Sequence, residues 1–240
     1  MTTFIKNEMI KVKSEKFMVI VFLLSLLPFI MNLVNFFINN KDLSLIGGFY
    51  FRFYNQYFML APIMIGIIGS SIFYIEFKEN TLLNWLTYSN SKFKLFFSKV
   101  IVSLLYCAFL YATNLILVCG FYLVMGRSIE DLMEIFISFS VLNIILIMFI
   151  VPLSITSIIM FQNYVVSVVI ILGIAMFSMM VILAPFAHLI PTTLGYWLGL
   201  VSIDSSLVEI TSLNLIIGGL VLVIVSVIIT YIGIRNLKIK

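Results

Sequence analysis

A run of residues equipped for specific polar and apolar contacts lies between two long hydrophobic stretches, where the chain reads EFKENTLLNWLTYSNSKFKLFFSK from Glu76 to Lys99. Placed on a helix, Leu82, Trp85 and Leu86 share one face by their i, i+3, i+4 spacing. Glu76 and Glu79 precede them, near a helix start, where negative charge is favoured by the helix dipole. Ser91 has the side chain of an N-cap for a following helix. The segment thus predicts a short amphipathic helix, a turn, and entry into the next apolar stretch. An apolar face flanked by carboxylates can anchor in a groove of another protein; it can also simply pack the loop beneath the rest of its own chain.

Residues for covalent or hydrolytic chemistry are scarce. The single histidine is His188, and the two cysteines are Cys107 and Cys119. Both cysteines fall within one predicted helix, about 18 Å apart at about 1.5 Å rise per residue, too far for a disulfide. No GxSxG or HExxH occurs, and the dipeptide Gly-Lys is absent, so no phosphate-binding GxxxxGK[ST] loop exists. The expectation is no catalytic residue, no cofactor or metal site, and no nucleic-acid partner. Any energy for work must come from another polypeptide.

The elements that position the 76–99 segment follow from composition. Of 240 residues, 63% are hydrophobic and 10% charged, against roughly 25% charged in an ordinary soluble domain. Such a chain has too little polar surface to face water all round, so lipid is its solvent. In lipid the backbone must satisfy its own hydrogen bonds, and continuous apolar runs select helices over barrel strands. A span needs about 20 apolar residues. Six stretches qualify: 17–38, 54–75, 100–124, 135–161, 165–186 and 213–234. The first is read as a retained span, since no small-x-small cleavage site follows it. The predicted fold is all-α, a single polytopic transmembrane unit over 1–240 with no nucleotide-binding domain.

None of the six stretches contains Asp, Glu, Lys or Arg. A charge at a span centre costs about 2.5–3.5 kcal/mol, a cost that ion-coupled carriers bear for function; its absence argues against one. Eleven basic residues collect before the first stretch, in the 76–99 loop and in the tail, against Lys41, Arg52 and Arg127 on the other side. The positive-inside rule then places both termini in the cytoplasm, and 39–53, 125–134 and 187–212 outside.

Two further segments carry structure. Residues 2–16 set Ile5, Met9 and Val12 on one face, with Lys6, Asn7 and Lys13 elsewhere, a pattern for a helix lying on the inner membrane surface. Residues 187–212 are too apolar for a free loop and too polar for a span. Ile190, Pro191, Tyr196 and Trp197 suit a short re-entrant or interfacial helix, and Gly195 with Gly199 suits close helix packing. The polar residues inside spans, among them Asn32, Asn114, Asn143, Ser154 and Thr156, are read first as interhelical hydrogen-bonding groups.

The 76–99 segment resembles the loop of type 2 ABC exporter permeases. That family carries, after its second span, a Glu, then after three residues Gly-Thr, a Leu-rich stretch, Pro-x-Ser-Arg, and Gly-Lys entering span three. Glu76, Thr81, Leu82, Leu86, Thr87, Ser91 and Lys99 match without a gap, and Lys92 stands for the Arg. Asn80, Ser89 and Ser98 replace the motif's Gly, Pro and Gly. The overall layout is also similar: an amphipathic start, six spans, a short connection at Gln162 and Asn163, and Ile-Pro-Thr before the last span.

The resemblance implies a permease subunit without catalytic activity of its own, coupled through Glu76, Glu79, Thr81, Leu82, Trp85 and Leu86 to a separate ABC ATP-binding subunit, in two copies, that holds ATP-Mg. It implies a second permease subunit, identical or related, in the plasma membrane. The size of the chain is most similar to permeases that export, or confer immunity to, antimicrobial peptides, including lantibiotics and bacitracin, so an amphipathic peptide substrate is expected. An ATP-independent carrier or channel, or a non-transporting membrane scaffold, stays open as the alternative.

Overall fold

A computed structural model describes residues 2–13, 15–39, 41–79, 92–204 and 212–237. Their regular elements are all helical: α1 (Thr2–Lys13), α2 (Phe17–Ile38), α3 (Phe49–Lys78), α4 (Lys92–Val124), α5 (Ile129–Phe161), α6 (Tyr164–Met180), a 3-10 turn at Ala187–Leu189, α7 (Pro191–Val201) and α8 (Ser212–Asn236). Five of these, α2, α3, α4, α5 and α8, are long and apolar enough to cross a membrane, and α6 is a shorter apolar helix.

α3 and α5 form the centre. In their most apolar stretches 72% and 61% of residues are buried, against 22% in α2, 28% in α4 and 17% in α8. The three outer helices are nevertheless the equal of the central pair in hydropathy, and their exposed Val19, Leu23, Ile116, Ile216 and Val227 give the outside of the bundle an apolar surface compatible with lipid.

Helix ends explain where the expected boundaries shift. The stretches were bounded at the first charge, but helices continue past charges that find partners. α3 starts at Phe49 rather than 54, because Phe49, Tyr50 and Phe53 are buried, with Phe49 against Phe121 at 4.5 Å between ring centroids. Residues 49–53 are therefore helix, not outer loop. α5 starts at Ile129, so Glu130, Asp131 and Glu134 of the expected 125–134 loop lie on the helix; Ser128 caps it by accepting from Asp131 N at 3.2 Å. Its two acidic first-turn residues suit the dipole.

The stretch expected at 165–186 ends early. α6 stops at Met180 after 17 residues, about 25 Å of helix, and residues 181–184 turn instead. The two-residue connection before it is sharp for a local reason. Gln162 takes a left-handed φ of 51°, and the Asn163 side chain accepts from Val165 N and Val166 N at 2.9 and 3.3 Å.

After the 3-10 turn, α7 begins with Pro191 in its first turn, where a missing N–H costs nothing. This short helix is not laid flat on the surface. Thr192, Thr193, Leu194, Gly195, Tyr196, Gly199 and Leu200 are buried, and it packs against α5 and α8. Gly195 lies against Ile145, and Gly199 against the Tyr54 hydroxyl and the Ser138 carbonyl, so both glycines let α7 approach α5 and α3 closely. Trp197 keeps a partly exposed ring and donates its indole N–H to the Ile182 carbonyl at 2.9 Å.

Candidate functional site

The charged groups nearest the 76–99 loop are gathered into one buried cluster. Glu76 occupies the last turn of α3 and Lys99 the second turn of α4, so they stand at the two mouths of the loop. Glu8 and Lys11 reach them from α1. The Lys99 ammonium donates to Glu8 Oε2 at 2.6 Å, Glu76 Oε1 at 3.0 Å and the Ile72 carbonyl at 3.1 Å. These are three acceptors for the three protons of an ammonium. Lys11 Nζ lies 2.6 Å from Glu76 Oε1 and 3.5 Å from Glu8 Oε1. The Phe73 ring adds a cation–π face 5.4 Å from Lys99.

Burial makes this arrangement demanding. Lys99 and Glu76 are 0% exposed and Glu8 1%. Removing such charges from water costs several kcal/mol each, and only close pairing with further hydrogen bonds offsets it. Glu76 carries an added burden, since a carboxylate at a helix C-terminus opposes the dipole; Lys99 and Lys11 relieve it. Among the described residues, two carboxylates and two ammoniums leave the cluster neutral. Its effect is to tie three chain segments, α1 and both ends of the loop, into one body.

The residues singled out by the loop pattern divide accordingly. Glu76 is inside the cluster and turned into the bundle. Glu79 follows α3 as its C-cap, is exposed, and sits beside Lys78, 4.0 Å away. The structure does not bring these two carboxylates together. Glu76 falls in the last turn of α3, which runs through Lys78, and Glu79 follows as its C-cap; the helix they were expected to precede lies outside the described residues. Thr81, Leu82, Trp85 and Leu86, with the predicted loop helix and the Ser91 cap, lie outside the described residues.

Glu8, Lys11 and Lys99 were not anticipated as a group. A signal did exist for Glu8: it falls between Ile5 and Val12 on the face of α1 expected to be apolar, three residues from one and four from the other. That face is where α1 meets the bundle, with Val12 fully buried, while Met9, expected on the same face, is left 42% exposed at its edge. A carboxylate on a buried stripe calls for a buried cation.

Elsewhere in the bundle interior, the polar contacts between helices are neutral. Tyr57 donates to Asn143 Oδ1 at 2.8 Å, Tyr54 to the Tyr196 carbonyl at 2.9 Å, and Tyr196 to Asn55 Oδ1 at 2.6 Å. Asn32 on α2 donates to Gln56 on α3 at 2.7 Å, and Thr156 on α5 to the Ile229 carbonyl of α8 at 3.0 Å. Ser167 reaches across to Ser70 at 2.7 Å and to the Ser154 carbonyl at 3.2 Å. These pairs stitch α2, α3, α5, α6, α7 and α8 together, the interhelical role expected of Asn32, Asn143 and Thr156. Asn114 differs: it bonds back to Leu110 O of its own helix.

Long apolar helices, a neutralised charge cluster at one end and neutral hydrogen bonds through the interior define a multi-pass α-helical membrane protein. Residues 4–178 match the model of the ABC-2 family transporter protein, so the chain belongs to the type 2 ABC transporter permeases. As a member it is a membrane subunit of an ABC transporter and associates with an ATP-binding subunit of that class. Neither the curated proteins nor the solved structures contain a match.

Proposed function

We propose that this chain is the permease subunit of an ATP-driven exporter that moves an amphipathic or antimicrobial peptide out of the cell or its membrane, in an export or immunity role. Two copies of a separate ABC subunit hydrolyse ATP-Mg, and a second permease, identical or related, completes the pathway. The unit spans 1–240 as one permease domain in the plasma membrane, with both termini cytoplasmic. Family membership over residues 4–178 is the observation that carries this reading. The loop motif supports the coupling route and the eleven basic residues at one end support the orientation. The amphipathic substrate rests on the resemblance to peptide-immunity permeases.

In mechanism, Leu82, Trp85 and Leu86 seat in a groove of the ATP-binding subunit, and Glu79 and Thr81 meet its rim. Glu76 acts from inside. A push on the loop enters at the end of α3 and the start of α4, and the Glu76–Lys99 contact, closed by Glu8, makes those ends move with α1 as one lever.

The test is the Leu82→Ala, Trp85→Ala double variant at equal membrane abundance, with Lys240→Asp as control. Each apolar anchor is worth roughly 1.5–3 kcal/mol when buried. The double variant should insert and fold but lose co-purifying ATPase and peptide resistance, while the control keeps both. Full ATPase binding and transport by the double variant would overturn the coupling assignment. Absence of any co-purifying ATPase with the parent protein would overturn the proposed function.

A further inference from the structure

Beside the charge cluster, α1, α2 and α4 enclose an open cavity of about 510 Å³ lined by Met9, Met18, Val19, Phe22, Leu105, Tyr106 and Phe109. Its volume falls in the roughly 300–1,000 Å³ range of small-molecule sites. Its walls are apolar except for the Tyr106 hydroxyl, and Phe22 and Phe109 stack on each other in its wall at 6.1 Å between ring centroids. Leu105 and Phe109 stand six and ten residues beyond Lys99, about 9–15 Å along α4. The groove therefore runs from the basic end of the bundle to about the middle of a hydrocarbon core about 30 Å thick, the reach of one leaflet's acyl chain.

Charge at its mouth specifies more than an acyl chain. Lys6 and Lys13 lie three residues before and four after Met9, on the same side of α1, and Lys16 precedes Val19 by three residues. All three are exposed. The acidic residues of this segment are already engaged: Glu8 holds Lys99, and Glu15 accepts from Lys78 at 3.3 Å. The mouth of the groove is thus left with an excess of positive charge. We infer that this groove binds one anionic phospholipid, its acyl chain lying against the Phe22 and Phe109 rings and its phosphate headgroup at Lys6, Lys13 and Lys16. Such a lipid holds α1 against α2 and α4, on the flank next to the face that carries Glu8 and Val12. The inference does not depend on the transported substrate or on the ATPase.

The experiment places a tryptophan in the groove and asks which lipid lies against it. Phe109→Trp, and Leu105→Trp as a second reporter should the first misfold, are reconstituted in phosphatidylcholine vesicles with brominated phosphatidylglycerol or brominated phosphatidylcholine as quencher. Val169→Trp, on the lipid-exposed face of α6, reports ordinary boundary lipid, and the parent protein supplies the background of Trp85 and Trp197. Expected is quenching of the groove reporter at about threefold lower mole fraction of phosphatidylglycerol than of phosphatidylcholine, as juxtaposed lysines and anionic headgroups predict. Val169→Trp should show no such preference. Adding Lys6→Gln, Lys13→Gln and Lys16→Gln should abolish it. Equal quenching by the two lipids, or a preference that survives loss of the lysines, overturns the assignment. So does a groove reporter that neither lipid quenches while Val169→Trp responds, which would mean that a second copy or another protein covers the groove.

Discussion

The two ends of this bundle are held by different kinds of polar contact. At the basic end Glu8, Lys11, Glu76 and Lys99 form a charged cluster that ties α1 to the mouths of the 76–99 loop. At the opposite end Tyr54, Tyr57, Asn55, Asn143 and Tyr196 make neutral hydrogen bonds between α3, α5 and α7. Buried ions interact strongly but leave a large penalty when one partner goes. Neutral bonds between membrane helices contribute about 0.6 kcal/mol on average, because the separated helices find other partners. The charged end is therefore all-or-none, and the neutral end is a set of small independent fastenings.

The contrast predicts a graded series of stability losses, read as thermal unfolding of the inserted protein in mild detergent. Lys99→Met should have the largest effect, about 3–5 kcal/mol, because it strands Glu8 and Glu76 without their shared cation. Adding Glu8→Gln should recover a substantial part, since Glu76 then keeps Lys11 and no uncompensated carboxylate remains. Additive losses in the pair would mean that the cluster does not act as a unit.

Gly199→Ala comes next. A methyl there meets the Tyr54 hydroxyl and the Ser138 carbonyl, and overpacking of this kind costs about 1–3 kcal/mol. An unchanged unfolding temperature would show that α7 is not packed as tightly on α5 as described. Tyr57→Phe removes one neutral bond to Asn143 and should cost about 0.6–1.7 kcal/mol. A loss as large as that of Lys99→Met would erase the distinction between the ends. Lys78→Ala is the smallest. Its pair with Glu15 is exposed, 53% for the lysine side chain, and should contribute less than about 1 kcal/mol, falling further in high salt.

Much of the fold was legible in the sequence, because lipid imposes a simple rule on long apolar runs. The first stretch, 17–38, coincides with α2, and the others lie within or overlap α3, α4, α5, α6 and α8. Where α3 and α4 meet the 76–99 loop, the ends were not legible for one reason. A charge was read as a boundary, yet Glu76 and Lys99, each one residue outside an expected span, continue their helices because each neutralises the other. The early end of α6 did have a signal in the sequence: Pro185 lacks the N–H that would bond the Val181 carbonyl and its ring clashes with that carbonyl, so the helix closes at Met180 although the residues around Pro185 are apolar. The candidate site was half legible. The loop motif pointed to Glu76 but not to its partners, because Glu8 and Lys99 meet across 91 positions of chain and no local periodicity reports such a distance.

The amino-acid sequence alone determined that this is a helical membrane protein with eleven of its fourteen basic residues in the segments before the first apolar stretch, between the second and third, and after the last. Those properties are sums over residues, and solvent preference acts on each residue separately. The tertiary structure decided which face of α1 turns inward, that four charges close on one another beneath it, and that α7 folds back into the bundle instead of lying flat. These depend on pairs. A buried carboxylate is tolerable only with a cation within reach, and a glycine face is useful only against a neighbouring backbone, so their outcome is set when the helices pack.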